Sequence, residues 1–161
     1  MRVKKVSQGY SVSTKVAVRY AETDQMGVVY YANYFVWFEV GRNAYFQRIG
    51  YSYKALEEQG LLFPIIEASC RYLVPAQYED QLIITTQLLA VSASRLSFLY
   101  SIFRDETLIA TGQTTQAFVN RSTQRPVSLK KHYPKLWECL QKLLAGNSNG
   151  VVNNAREDFS G

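Results

Sequence analysis

The chain has 161 residues, of which 47% are hydrophobic and 14% aromatic, so it fits one domain with a packed core and is not a largely disordered protein. Its net charge of +5 favours anionic partners in general. The basic residues are scattered and form neither an arginine-rich helix nor a zinc-finger spacing, so we do not expect a nucleic-acid-binding protein.

The sequence also bears on the compartment of the protein. No stretch reaches the roughly 18 consecutive apolar residues that a membrane span needs. The basic start, MRVKKVSQGY, lacks the apolar run of a secretory signal. Cys70 and Cys139 are far apart and in no metal-ligand or redox spacing. We therefore predict a cytoplasmic protein with two reduced thiols, no metal site and no membrane span.

The first elements are a strand, a loop and two helices. Residues 11–20 carry valines at alternating positions, which predicts a strand. A loop with the sequence AETDQMG follows. Residues 33–50 predict a helix that begins at Asn33, or at Ala32 or Tyr31 just before it, and ends at a glycine. Residues 52–59 predict a second, short helix that begins after a serine cap.

The first half of the longer helix is apolar on all sides, with the sequence YFVWFEV. A helix that is apolar on every face is expected to be buried on every face. A sheet of five or six strands buries a helix in this way only if it curls around it, or if a second copy of the chain covers it. Gly41 and Ala44 are small and allow a neighbour to pack close to the helix axis.

The second half of the chain predicts a run of strands. Residues 62–76, 80–94, 95–105 and 107–121 are apolar segments separated by turn signals, and we expect them to pair antiparallel because no helix separates them. Residues 121–129 predict a turn and allow a last short strand. Residues 133–145 predict an amphipathic helix with four leucines on one face. We expect one domain over residues 1–145 and a flexible tail over 146–161.

The loop and helix start carry a motif that resembles a known family. The stretch YAETDQMGVVYYANY, residues 20–34, is similar to the signature of the hotdog-fold acyl-CoA thioesterases, in the 4-hydroxybenzoyl-CoA thioesterase branch. A weaker similarity extends over residues 15–130 and includes LVPAQYEDQL. The motif positions are filled by Asp24, Gly27, Val28, Val29, Tyr30, Asn33 and Tyr34.

The resemblance implies an α+β hotdog fold, in which a curved antiparallel sheet wraps around a central helix. It also implies subunits that pair through their sheets as a homodimer or homotetramer, with active sites at the interface. The implied substrate is an acyl-CoA. Neither a metal nor a cofactor is expected, because coenzyme A is part of the substrate.

The resemblance further implies roles for individual residues. Asp24 is the expected catalytic carboxylate, as nucleophile or as general base, and Gly27 allows the loop to turn. The backbone N–H of Tyr31 is the expected oxyanion donor at the helix start, which suits an anion on physical grounds. Many similar proteins carry histidine at the Tyr31 position, so an imidazole role is absent here. The expected substrate-binding residues are Val29, Tyr30, Asn33, Arg95, Arg121 and Arg125.

Several other residues are candidates for a chemical role. Glu39 on the long helix is a rival carboxylate, and Glu67 faces either solvent or an acyl site. Glu22 is expected to be a surface or structural acid because it points away from Asp24 if the segment is extended. His132 is the one histidine in the sequence, and no G-x-S-x-G elbow accompanies it.

We therefore expect an acyl-CoA thioesterase. Two alternatives remain: a thioesterase that acts on acyl groups carried by an acyl carrier protein, and a non-catalytic protein that binds acyl-CoA. An acyl carrier protein is acidic and would suit a basic chain, but the phosphates of coenzyme A would suit it equally.

Overall fold

The computed structural model describes residues 10–146, so the predicted tail lies almost entirely outside the described residues. A 3₁₀ turn at Tyr20–Glu22 precedes the first helix. In chain order the helices and strands are β1 (Ser11–Ala17), α1 (Asn33–Arg48), α2 (Tyr53–Glu58), β2 (Leu61–Leu62), β3 (Ile65–Tyr72), β4 (Gln81–Val91), β5 (Arg95–Arg104), β6 (Thr107–Ala117), β7 (Val119–Asn120), α3 (Leu129–His132) and α4 (Pro134–Leu144).

Five strands form one antiparallel sheet in the order β1-β4-β5-β6-β3. Short turns join β4 to β5 and β5 to β6, while β1 and β3 form the two edges. Residues of β4 and β5 alternate between buried and half-buried positions, as expected for strands with one face on a core. The predicted antiparallel pairing is confirmed for β4, β5 and β6, but β3 pairs with β6 and not with the next strand along the chain, because β1 takes the place beside β4.

The central helix α1 packs on the buried face of the sheet. The ring of Phe38 stacks on that of Tyr100 in β5, with centroids 4.5 Å apart. A methyl group added at Gly41 would clash with the Thr86 side chain of β4, so α1 approaches β4 as closely as only glycine allows. The expected close approach at Gly41 is therefore confirmed.

The predicted burial of α1 on every face is wrong for the single chain. Trp37 and Phe38 are buried, but Val36 is 46% exposed and Glu39 is exposed. The open sheet covers one side of the helix and leaves the opposite side in solvent. Asn33 is the first residue of α1, and Ala32 occupies the cap position.

The remaining elements differ little from the predictions. The side chain of Ser52 caps α2 by accepting a hydrogen bond from the Ala55 N–H at 3.1 Å. The possible strand at residues 121–129 is absent; instead β7 pairs with β2, and Pro126 forms a single bridge with Val119. The leucine face of α4 is buried, as predicted. No helix among residues 10–146 is both long and apolar enough to cross a membrane.

Candidate active site

The segment between β1 and α1 folds into a narrow loop closed by its own backbone. The Asp24 N–H donates to the Val28 carbonyl at 2.8 Å, and the Gly27 N–H donates to the Asp24 carbonyl at 3.1 Å. Thr23 and Val29 pair as an antiparallel bridge. Gly27 has a φ of 81°, in the left-handed region that favours glycine. The chain therefore reverses at Gly27, as the sequence predicted.

Asp24 presents a carboxylate that is only partly engaged. Its Oδ1 accepts a hydrogen bond from the Met26 N–H at 2.8 Å, and no donor within residues 10–146 contacts its other oxygen. Asp24 is half-buried, and Met26 is 86% exposed. The expectation of a desolvated acid among apolar residues is therefore not met in the single chain, because the loop lies at the surface.

Two backbone amides at the start of α1 are free to bind an acceptor. The Tyr30 N–H donates to the Glu22 carbonyl at 2.8 Å, and the Asn33 N–H donates to the Tyr30 carbonyl at 3.0 Å. The N–H groups of Tyr31 and Ala32, between them, donate to no acceptor in the described part of the chain. The first N–H groups of a helix lack partners within the helix and carry its positive dipole end. This position suits a developing negative charge.

Glu22 ties the loop to the helix, so it is a structural acid and not a surface one. It is 5% exposed, and its Oε1 accepts the Arg19 N–H at 2.8 Å while its Oε2 accepts the Trp37 indole N–H at 3.1 Å. Its carbonyl accepts a second hydrogen bond, from the Asn33 side-chain amide at 2.8 Å. One residue therefore holds the strand end, the loop and α1 together.

The connection from β3 to β4 forms hydrogen bonds with the loop and with the start of α1. The Val29 N–H donates to the Ala76 carbonyl at 2.8 Å, and the Ala76 N–H donates to the Tyr34 hydroxyl at 3.2 Å. Burial raises the pKa of Tyr34 above its usual range. The Tyr72 hydroxyl donates to the Tyr31 carbonyl at 2.9 Å. These contacts fix the residues on either side of the two free amides.

The structure separates the predicted substrate-binding residues near the loop into two groups. The Val29 side chain is 5% exposed and belongs to the core, and the Asn33 amide nitrogen is used within the protein. Tyr30 is 48% exposed and Tyr31 is 59% exposed. Their rings lie 4.7 Å apart, so these two tyrosines form the accessible surface beside Asp24.

The three arginines lie far from Asp24 in the single chain. Val28 in the loop pairs with Gln77 in the β3–β4 connection, and Arg104 at the end of β5 contacts Asp80 of the same connection at 2.8 Å. Arg95 begins β5, so it lies at the opposite end of the sheet, about 30 Å away along a ten-residue strand. Arg121 and Arg125 are exposed in the segment after β7, which pairs with β2. One chain alone therefore does not bring them to the loop.

The other candidate residues from the sequence lie elsewhere in the fold. Glu39 lines a groove on the far part of α1 together with Arg42. Glu67 is exposed on the edge strand β3. His132 is exposed at the end of α3, and no serine or cysteine hydrogen-bonds to its side chain among residues 10–146. The loop at Asp24 thus combines an accessible carboxylate with free backbone donors a few residues further along the chain.

Comparison with known proteins places this arrangement in a family. The family model described as "Thioesterase-like superfamily" matches residues 18–141. The acyl-CoA thioesterase YbgC of Haemophilus influenzae is 30% identical over 120 residues, which cover 74% of this chain and 88% of that protein. YneP of Bacillus subtilis is 32% identical over 121 residues, with the same shares of the two chains.

A solved structure agrees with the sequence relatives. The DHNA-CoA thioesterase from Staphylococcus aureus is 33% identical and superimposes with a TM-score of 0.82, covering 87% of this chain and 95% of that one. The sheet, the central helix and the matched range together show a hotdog fold. The chain therefore belongs to the thioesterase-like superfamily.

Proposed function

We propose that this protein is an enzyme that hydrolyses acyl-CoA thioesters to a free acid and coenzyme A. One observation carries the proposal: the half-buried carboxylate of Asp24 lies in a loop that leads directly to two unpartnered amides at the start of α1. The activity named for the YbgC relative supports it. The family alone does not decide the chemistry, since one fold hosts many functions.

The proposed reaction needs an attacking group and an oxyanion site. In one route Asp24 takes a proton from water, and the resulting hydroxide adds to the thioester carbonyl. In the other route the Asp24 carboxylate adds directly, the C–S bond breaks to leave a mixed anhydride and the coenzyme A thiolate, and water then hydrolyses the anhydride. In both routes the N–H groups of Tyr31 and Ala32 stabilise the carbonyl oxygen as it becomes negative. In the first route the C–S bond breaks when the hydroxide adduct collapses, and in either route the coenzyme A thiolate takes up a proton.

We also propose that the active form is a homodimer or a homotetramer built from such dimers. Strand β3 is an open edge of the sheet, and residues Ile65 and Ile66 on it are each 42% exposed. An unpaired edge is a template for another strand. The last residues of β3 lie near the Asp24 loop. If two copies pair antiparallel through β3, these residues of one copy lie beside the first residues of β3 in the other copy. Arg95 lies at the same end of the sheet as the start of β3. Ile65 of β3 pairs with Gln116 of β6, and the next residue of β6, Ala117, pairs with Arg95.

This pairing explains how the separated groups could act together. It carries the end of the sheet that holds Arg95 and Arg121 to the Asp24 loop of the second copy. Arginine forks suit the phosphates of coenzyme A. An acyl group on an acyl carrier protein is the second candidate substrate, and the net charge of +5 suits an acidic carrier and the phosphates of coenzyme A equally. A cytoplasmic location remains a prediction.

The test is thiol release from acetyl-, hexanoyl-, decanoyl- and benzoyl-CoA, and from the same acyl groups on an acyl carrier protein. Wild type is compared with Asp24→Asn and with the control Glu39→Gln. We expect Asp24→Asn to lose about a hundredfold or more of the rate, which is the usual contribution of a positioned acid or base, and Glu39→Gln to keep it. Unchanged hydrolysis in a folded Asp24→Asn protein would refute the role of Asp24.

A further inference from the structure

The two free amides before α1 differ in what bonds the carbonyl group of the same peptide. The Tyr31 N–H shares its peptide with the Tyr30 carbonyl, which accepts the Asn33 N–H at 3.0 Å. The Ala32 N–H shares its peptide with the Tyr31 carbonyl. The backbone donor to that carbonyl, the Tyr34 N–H, is 3.4 Å away, which is longer than a usual N–H···O hydrogen bond. The helix start therefore holds the first peptide well and the second one poorly.

A side chain from the edge of the sheet supplies the second peptide with a closer donor. Tyr72 is the last residue of β3, and it is separated from Tyr31 by 41 positions in the sequence. Its hydroxyl donates to the Tyr31 carbonyl at 2.9 Å. This is the shortest hydrogen bond that the carbonyl accepts within residues 10–146. The peptide that ends in the free Ala32 N–H is therefore tied to β3.

Neighbouring residues fix the direction of the Tyr72 hydroxyl. The ring of Tyr34 meets the ring of Tyr72 edge to face, with centroids 4.9 Å apart and planes at 90°. Tyr34 is itself 3% exposed, and its hydroxyl accepts the Ala76 N–H at 3.2 Å. The side chain of Cys70, two residues earlier in β3, hydrogen-bonds with Tyr72 and lies on the same face of the strand. Although Tyr72 is 44% exposed, these contacts restrict its rotation.

A hydrogen bond to the carbonyl of a peptide changes the N–H of the same peptide. Amide resonance couples the two groups, so a donor at the oxygen draws electron density from the nitrogen and makes the N–H a stronger donor. Such cooperative strengthening is about 10–30% per bond. The same bond fixes the plane of the peptide and so the direction of the N–H. Both effects grow with the negative charge on the acceptor, and they therefore favour the transition state over the bound substrate.

We propose that Tyr72 is a positioning residue for thioester hydrolysis, which orients and strengthens the Ala32 N–H as an oxyanion donor through the Tyr31 carbonyl. This role rests on acyl-CoA hydrolysis at Asp24. Tyr72 acts through the peptide and not by touching the substrate. A phenol near an active site can also protonate the departing thiolate or contact the acyl group directly, and the experiment distinguishes these two roles from the one proposed.

The first measurement is the steady-state kinetics of Tyr72→Phe, which lacks only the hydroxyl. Because loss of a whole oxyanion donor costs about a hundredfold or more and this variant only weakens one, we expect kcat to fall about three- to tenfold with KM unchanged. Tyr78→Phe removes the hydroxyl of an exposed tyrosine in the β3–β4 connection and should keep the wild-type kcat. Thermal unfolding and light scattering establish that both variants fold and assemble as wild type does.

The second measurement observes the peptide itself by NMR. Protein labelled with ¹³C at tyrosine carbonyls and ¹⁵N at alanine amides gives a coupled signal only from Tyr–Ala peptides. The described part of the chain has two, Tyr20–Ala21 and Tyr31–Ala32, and Tyr20→Phe assigns them because it removes the first. We expect Tyr72→Phe to move the Tyr31–Ala32 signal, because its carbonyl loses a hydrogen bond, and to leave the Tyr20–Ala21 signal in place.

Four results would overturn the role of Tyr72. They are an unchanged kcat in Tyr72→Phe, a lower kcat with an unmoved Tyr31–Ala32 signal, a raised KM with unchanged kcat, which indicates contact with the substrate, and a loss that disappears with a nitrothiophenol thioester. The last result indicates proton donation, because nitrothiophenolate leaves without a proton.

The outcome for Tyr72 is distinguishable from the outcome for Asp24. An enzyme that depends on Asp24 but is unaffected by Tyr72→Phe refutes the positioning role alone. An enzyme that responds to Tyr72→Phe in both measurements but not to Asp24→Asn refutes the role of Asp24 alone. A wild type that hydrolyses no thioester refutes the reaction, and with it the part of Tyr72 in it.

Discussion

Glu22 and Trp37 are joined by a buried hydrogen bond, in which the indole N–H donates to the carboxylate at 3.1 Å. This bond links the loop that contains Asp24 to the second turn of α1, and the two free amides, of Tyr31 and Ala32, lie immediately before that helix. Because the other carboxylate oxygen accepts the Arg19 N–H, both oxygens of Glu22 are used within the protein. The Glu22 side chain is therefore the direct link between the loop and the second turn of α1.

Replacing Glu22 by Gln should destabilise the protein and slow hydrolysis together. An amide accepts through one oxygen only, so either the indole or the Arg19 N–H is left buried without a partner, at a cost of about 1–3 kcal/mol. Urea denaturation measures the loss, and thiol release measures the activity. Glu138→Gln, at an exposed position of α4, is the matched control and should change neither. A Glu22→Gln protein of wild-type stability would contradict the assigned role.

Gly27 and Gly50 offer a matched pair of substitutions. Both have positive φ, 81° and 89°, and an added methyl group meets nothing within 4 Å at either one. Alanine at either position should cost about 1–2 kcal/mol of backbone strain. Gly27→Ala should also lower kcat because it distorts the loop beside Asp24, whereas Gly50→Ala, after the end of α1, should leave kcat unchanged. Equal kinetics for the two variants would show that loop geometry at Gly27 does not matter.

Mixing two inactive variants tests the shared site. Asp24→Asn lacks the carboxylate, and Arg95→Ala lacks the arginine at the opposite end of the sheet. If each site combines Asp24 of one copy with Arg95 of another, a refolded mixture should regain activity, because hybrid assemblies hold one intact site. The control is a mixture of Asp24→Asn with the double variant Asp24→Asn/Arg95→Ala, which contains no intact site. The absence of recovery in the first mixture, with hybrids demonstrated by mass spectrometry, would argue against the shared site.

Tyr100 should make stability fall in alkaline solution. It is fully buried, and its hydroxyl hydrogen-bonds with Arg42 and with Thr114, at 2.6 Å from the threonine oxygen. Burial raises the pKa of Tyr100 to about 12, whereas an unfolded tyrosine titrates near pH 10. The unfolded chain therefore loses this proton first, so the contribution is complete below pH 10 and is lost as the pH rises toward 12.

The measurement is the free energy of unfolding between pH 10 and 12. In wild type this group contributes a fall of up to about 1.4 kcal/mol per pH unit, and Tyr100→Phe should show a correspondingly smaller slope. Burial also raises the pKa of Tyr45, but that residue contributes equally to both proteins. Tyr78→Phe, at a side chain that is 51% exposed, should keep the wild-type slope. Identical slopes for wild type and Tyr100→Phe would contradict the assignment.

Much of the fold follows from hydrophobic periodicity in the sequence. The strands and α1 were predicted to within a few residues because alternation and apolar runs are local signals. The exposure of Val36 was not predictable in the same way, because it depends on how far the sheet curls and on whether a second copy covers the helix. Sequence pattern gives the apolar surface of an element and leaves open what packs against it.

The candidate site was predicted less completely than the fold. The loop around Asp24 and Gly27 follows from the motif, but the expected place of Glu22 depends on an extended segment. Residues Tyr20–Glu22 instead form a 3₁₀ turn, which rotates the Glu22 side chain toward Trp37. Tyr72 gave no signal either, because it is 41 positions from Tyr31 in the sequence and aromatic residues are common in strands.

The two ends of the sheet also separate two sets of contacts. The loop at Asp24 is held by residues before α1, by the first turns of α1 and by the β3–β4 connection. The groove beside Arg42 is lined by the middle of α1, by α2, by the segment from β2 to β3 and by the end of β6. Among residues 10–146 no residue is common to both sets, so substitutions in the groove can accumulate without removing a contact of the loop.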